Sequence, residues 1–217
     1  MASKVEIANR ALTKLGADRI LSLADQTKEA RTLNSMFDTV FYAELRRHRW
    51  KFAVARTTLP ALVAAPAWGY QYAYTLPADY LALVQVNDIR VRATKQTVPW
   101  TIEGGEILTD LPAPLKFRYI KKITEFSLLD PLFVEVFACK LALECCETLT
   151  QSTQKRQMAG EEYNFAVTEA VRLDAVETEP DELPTGTWFD SRESSLVYSG
   201  TVIDGTLINI SSGVTVL

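Results

Sequence analysis

The stretch RRHRWKF, residues 46–52, gathers the residue types that could do chemistry: Arg46, Arg47, Arg49 and Lys51 around the chain's only histidine, His48. Three chemistries suit such a cluster. It could neutralise phosphates, it could supply a base to a nucleophile, or it could place cations at a helix C-terminus, where the helix dipole favours them. The cysteines, Cys139, Cys145 and Cys146, lie in a distant apolar segment. Their number is odd and their spacing matches no zinc pattern. Adjacent cysteines on a helix diverge, so the three read as small buried apolar side chains. His48 has only Glu44 at helical spacing, which reads as an i, i+4 contact rather than a ligand pair. Gly104-Gly105 is followed by no lysine or serine and precedes a strand, so it does not spell a phosphate loop. Glu161-Glu162 reads as a solvated helix face, and Tyr70, Tyr72 and Tyr74, alternating on one face of a strand, read as packing residues rather than a base-stacking platform. No residue set demands catalysis, a cofactor or a metal, and the chain is expected not to be an enzyme.

The elements that must position these residues follow from periodicity. Ser3 with Glu6 spells a capping box, Val5, Ala8, Leu12 and Leu15 recur at helical spacing, and Gly16 stops the run, predicting a helix over 4–15. A stripe from Ala30 through Leu33, Phe37, Phe41 and Leu45 to His48 predicts a second helix over 27–48 with one buried face. Arg46, Arg47 and Arg49 then fall at its C-terminal turn. Alternation at Trp50, Phe52 and Val54 predicts a strand beginning at Trp50. Residues 61–69, with Pro66 and Gly69, read as a loop tipped by Trp68, and 80–86 as a strand entered through Pro77-Ala78-Asp79. Gly104-Gly105, between Thr101-Ile102 and Ile107-Leu108, marks a hairpin. LKFRYIKKI, 115–123, alternates with one basic face. Asp130-Pro131 starts a helix over 131–149, apolar almost all round and therefore central, and a last helix spans 154–175. The expected class is α+β: about four antiparallel helices with a strand and hairpin insertion, 50–123, between the second and third.

Residues 1–175 read as a body and 176–217 as an arm. The arm carries seven acidic residues and one basic, a net charge of −6 within a chain of −4, leaving +2 on the body. Its first half is linker-like. Its second half is β-prone, with Asp204-Gly205 as a turn, and too short to hold a core. A strand-forming segment without a core needs a partner surface, so Trp188, Phe189, Leu196, Val197, Tyr198, Val202, Ile203, Leu207 and Ile208 are expected to dock on another protein. The 217 residues allow one sizeable domain. No apolar run reaches a membrane span, the start lacks a signal-peptide core, and synthesis in a cytoplasm is expected. The acidic balance argues against a dedicated duplex-DNA binder.

Four stretches together resemble a known family. They are IANRALTKLGA in the first helix and FYAELRRHRWKFAVARTTL at the end of the second. The others are YAYTLPADYLALVQV, with its Tyr-x-Leu-Pro-x-Asp-Tyr-Leu core at 74–81, and the passage KFRYIKKITEFSLLDPLFVEVFACKLALECC. In this order the chain resembles the head-to-tail adaptor proteins of short-tailed bacteriophages, the tail tubular protein A family, over residues 3–175. The resemblance implies a structural virion protein at the head–tail interface, assembled in the host cytoplasm. It implies a ring of identical subunits, typically twelve, docked under the portal protein, extending the DNA channel and receiving a nozzle-type tail protein, with genomic DNA in transit and no membrane partner. The arm, longer than in many relatives, is then expected to dock on the portal or a neighbouring subunit. Trp68, Trp100, Gly104 and Gly105 are candidate tail contacts, and Arg46, Arg47, Arg49 and Lys51 are candidates for an interface or the channel. Two other readings compete. One is a nucleic-acid-binding module using those four cations with Lys116, Arg118, Lys121 and Lys122. The other is a tail-associated peptidoglycan hydrolase built on a carboxylate pair.

Overall fold

The structure, a computed structural model, describes residues 3–87, 89, 90 and 99–177, with the backbone alone at 89 and 90. The arm residues, among them Trp188, Phe189, Leu196, Val197, Tyr198, Val202, Ile203, Leu207 and Ile208, lie outside the described residues.

Four helices and two small antiparallel sheets make up the fold, and both sheets fall between the second and third helices. Helix α1, Lys4–Leu15, begins with the capping box of Ser3 and Glu6 and ends at Gly16, whose φ of 66° is left-handed. Helix α2, Lys28–Arg47, is capped by the Thr27 hydroxyl and ends at His48, which is extended. Helix α3, Pro131–Thr150, starts from the Asp130 carboxylate, which accepts from the Leu132 and Phe133 amides. Helix α4, Thr153–Val176, is capped by Ser152. Helix α3 packs against each of the other three helices. Ten of its residues are buried, including all three cysteines, which are free thiols. The main core surrounds it, with Phe37 and Phe41 of α2 meeting Phe133 and Phe137 edge-on or tilted.

The strands are β1 Val54–Leu59, β2 Tyr72–Thr75, β3 Tyr80–Val86, β4 Ile89–Arg90, β5 Trp100–Glu103, β6 Glu106–Thr109 and β7 Leu115–Lys121. One sheet has the order β1-β7-β3-β4, the other β2-β6-β5. A second core, with Leu59, Tyr74, Val86, Ile107, Leu115, Phe117 and Tyr119, joins them. The β5–β6 turn uses Gly104 and Gly105 at φ 59° and 87°, which a side chain would strain.

Two local readings need correction. The strand does not begin at Trp50: residues Lys51–Ala53 form a 3-10 turn, and β1 starts at Val54. Trp50 and Phe52 both pack on Phe133, with ring centroids 5.1 Å away in each case, so their spacing of two reports one shared neighbour rather than a pleat. Likewise β2 starts at Tyr72, leaving Tyr70 outside the strand.

Two bulges in β3, between Tyr80 and Ala82 and between Leu83 and Gln85, shift its register against β7. As a result Val84 faces the helical core and Val86 the inter-sheet core, although they are two residues apart.

Candidate functional site

The RRHRWKF segment is largely occupied by α4. The backbone amide of Lys51 donates to Asp174 Oδ1 at 3.2 Å, its ammonium donates to the Asp174 carbonyl, and His48 Nε2 lies 3.3 Å from Asp174 Oδ2. Arg47 Nη1 donates to the Tyr163 hydroxyl at 2.6 Å and lies 3.8 Å from Glu44 Oε1. The Tyr163 hydroxyl in turn donates to the Glu44 carboxylate, with its oxygens at 2.9 and 3.1 Å. Trp50 Nε1 donates to the Glu44 carbonyl at 3.1 Å. Glu44 and His48, four residues apart, thus take different partners: Glu44 turns into the α2–α4 interface, and His48, past the last helical residue, meets Asp174. The segment is a seam that ties the end of α2 and the start of the sheets to α4. Arg46 is exposed on the last turn of α2 and its charge acts on Tyr80.

A second polar cluster joins α1, α3 and α4. Ligand atoms of Glu135, Cys139 and Glu162 lie within 4.8 Å of one another. Lys14 Nζ is bonded to both carboxylates, at 2.6 Å from Glu135, and Arg10 also pairs with Glu135. The cluster therefore already holds a cation of its own. These residues are far apart in sequence, and only folding brings them together. Glu162, read as solvated, is drawn into this cluster, whereas Glu161 accepts from Gln157 along the helix.

Several groups in these packed regions hold their protons unusually tightly. Burial pushes the Cys145 thiol up to about 12, with the charge of Glu144 adding to it. Burial and a hydrogen bond to Asp79 push Tyr119 to about 12. Burial and then Glu44 raise Tyr163. At Lys14 burial opposes the charge, but its hydrogen bonds to Glu135 and Glu162 win and raise it. All four folded values lie above those of the unfolded chain, so unfolding releases protons once pH passes about 9, where a free thiol titrates. Stability is expected to be complete below about pH 9 and to fall progressively toward pH 12. The melting temperature should drop between pH 8.5 and pH 10.5; a flat profile would contradict the assignment.

The sheet region places the remaining candidates. Trp68 is 86% exposed and Val63 is fully exposed, both on the β1–β2 loop. Its base is fixed by the Leu62 amide donating to Ala73 and by Ala61 packing on the second core. From Thr57 to Ala78 no residue is charged. Gly104 and Gly105 form an exposed turn, whereas Trp100 is half-buried against the second core. Tyr74 is buried, with its hydroxyl donating to the Leu111 carbonyl at 2.7 Å, and Tyr72 packs beside it. The Tyr-x-Leu-Pro-x-Asp-Tyr-Leu core works as a corner between the sheets. The Leu76 amide donates to Gly105, Tyr80 to Pro77, and Asp79 receives the Tyr119 hydroxyl at 2.9 Å.

Compared with known proteins, the chain matches no protein-family model and no curated protein. No helix among the described residues is long and apolar enough to cross a membrane.

Proposed function

We propose that this chain is a head-to-tail adaptor subunit of a short-tailed bacteriophage, a structural and non-enzymatic virion component. Identical subunits form a ring, twelve-fold by the family pattern, beneath the portal protein. The ring extends the channel for genomic DNA and carries a nozzle-type tail protein. The observation that carries this reading is the helical body with an insertion that projects a wholly uncharged loop, tipped by Val63 and Trp68. Large apolar side chains held out to solvent on a fixed base suit a protein contact, and tryptophan is among the residues most often dominant in one. The four stretches of family resemblance fall on α1 and its Gly16 cap, the α2–α4 seam, the inter-sheet corner and the passage from β7 into α3.

Electron microscopy of the full chain mixed with its portal tests the reading: rings seated on the portal are expected, and a monomer that ignores the portal contradicts it. Two variants separate the contacts. Trp68→Ala should keep portal rings but weaken capture of the tail protein by about 30-fold, the loss of a hot-spot side chain. Deleting 180–217 should instead weaken portal docking, and undiminished docking would remove the arm from that contact.

A further inference from the structure

Helix α4 holds large apolar side chains in water. Met158 is 62%, Phe165 71% and Val176 76% exposed. They stand seven and eleven residues apart, close to whole turns of helix, and so form one ridge. Glu161, Glu169 and Arg172 lie at helical spacing from them on the same side. Among the described residues none of these three enters an ion pair, and the exposed Glu162 beside them is held by Lys14. The ridge is therefore apolar, with two carboxylates against one guanidinium. The exposed side of α2 has the opposite charge. Lys28, Arg31 and Arg46 stand there, with the short side chains of Ser35 and Thr39 between them. Among the described residues these cations enter no ion pair, and Asp38 at the rim is held by Lys4. The Tyr163–Glu44 hydrogen bond fixes how the two faces are aimed, because it joins the inner sides of α4 and α2. Phe165 and Arg46 each lie two residues beyond a member of that pair, about 200° round the helix. The two faces thus point outward, away from each other.

We infer that the α4 ridge of one subunit packs against the α2 face of the next, so that a second copy of this chain covers each face. This assignment deepens the adaptor-ring reading and rests on it. Unlike surfaces turned outward on two sides of one subunit make a head-to-tail contact, which closes into a ring when the rotation between copies allows. A two-fold dimer through α4 alone would set two ridges of the same sign against each other, which costs free energy. A nucleic acid could pair with the α2 cations but would leave Met158 and Phe165 in water, whereas a second copy covers both faces. Burial of the apolar ridge supplies the affinity, and the α2 cations select the acidic partner and steer its approach.

The test is charge reversal in the full chain, read by electron microscopy of each variant mixed with the portal. Lys28→Glu with Arg31→Glu makes both faces net acidic, and Glu161→Lys with Glu169→Lys makes both net basic. Each variant alone should lose the portal-seated rings that the parent forms, because like charges then meet at every junction. An equal mixture of the two variants should restore the rings, since acidic and basic subunits can alternate around them. All four positions are exposed, so both variants should melt like the parent, and recovery on mixing would itself show that neither is misfolded. Rings from either variant alone would overturn the inference and leave the adaptor reading standing. A mixture that recovers no rings would do the same, giving these faces to the portal or the tail protein. A parent that forms no rings would remove both readings.

Discussion

Phe137→Ala is expected to lower the unfolding free energy by about 3–5 kcal/mol, the range for truncating a large aromatic side chain in a packed core. Phe137 is wholly buried at the middle of α3. Its ring meets Phe37 at 5.1 Å, Phe41 at 5.2 Å and Phe133 at 6.3 Å between centroids. The two α2 rings are held on a helix that is pinned at its C-terminal end to α4. They cannot follow a missing neighbour inward, so the cavity stays open and its contacts are lost outright. Urea unfolding should show a lower midpoint at an unchanged slope. A loss below about 1 kcal/mol would mean that the core collapses around the gap. Phe165→Ala is the control. That side chain is 71% exposed on α4, and the change should stay within about 0.5 kcal/mol.

Tyr163→Phe is expected to cost about 1–3 kcal/mol although it removes a single oxygen. The reason lies in what is left behind. Glu44 is only 3% exposed, and among the described residues the Tyr163 hydroxyl is the one side-chain donor within 3.1 Å of its carboxylate. Arg47, at 3.8 Å, is too far to replace that bond. The variant therefore strands a buried charge. Glu44→Leu removes the charge itself and should rescue Tyr163→Phe, because replacing both members of a buried polar pair by apolar groups can be nearly neutral. Chemical denaturation of the parent, both single variants and the double variant closes the cycle, and a coupling energy of about 1 kcal/mol or more is expected. Additive single effects would show that the bond contributes nothing specific.

The residues in these two predictions differ in how readable they were. Phe37, Phe41 and Phe137 stand in apolar stripes whose period is helical, so their burial follows from spacing alone. Two capping sites were equally plain: Ser3 with Glu6, and Asp130 before Pro131, each supply an oxygen to amides that the helix leaves unpaired. The glycine pair at 104–105 marked the hairpin because its positive φ angles exclude most other residues. By contrast Trp50-x-Phe52 mimicked a strand, since a 3-10 turn can also place alternate rings on one neighbour. The polar sites were hidden for a different reason. Glu44 and Tyr163 are 119 residues apart, and Lys14 and Glu162 are 148 apart, so no local pattern announces either pair.

The amino-acid sequence by itself determined the four helices, the N-terminal caps of α1 and α3, the central place of α3 and the insertion of strands between α2 and α3. These rest on interactions between residues a few positions apart, which periodicity and capping chemistry report directly. Only the tertiary structure decided what the charged residues do. It turned half of RRHRWKF inward as a seam against α4, and it gave the Glu135–Cys139–Glu162 cluster a resident lysine. Through the pairing of β1 with β7 it brought Arg56, Lys116 and Arg118, far apart in the chain, onto one sheet face. A charge acts over a few ångströms of space rather than a few positions of chain, so its partner is settled only when distant segments meet.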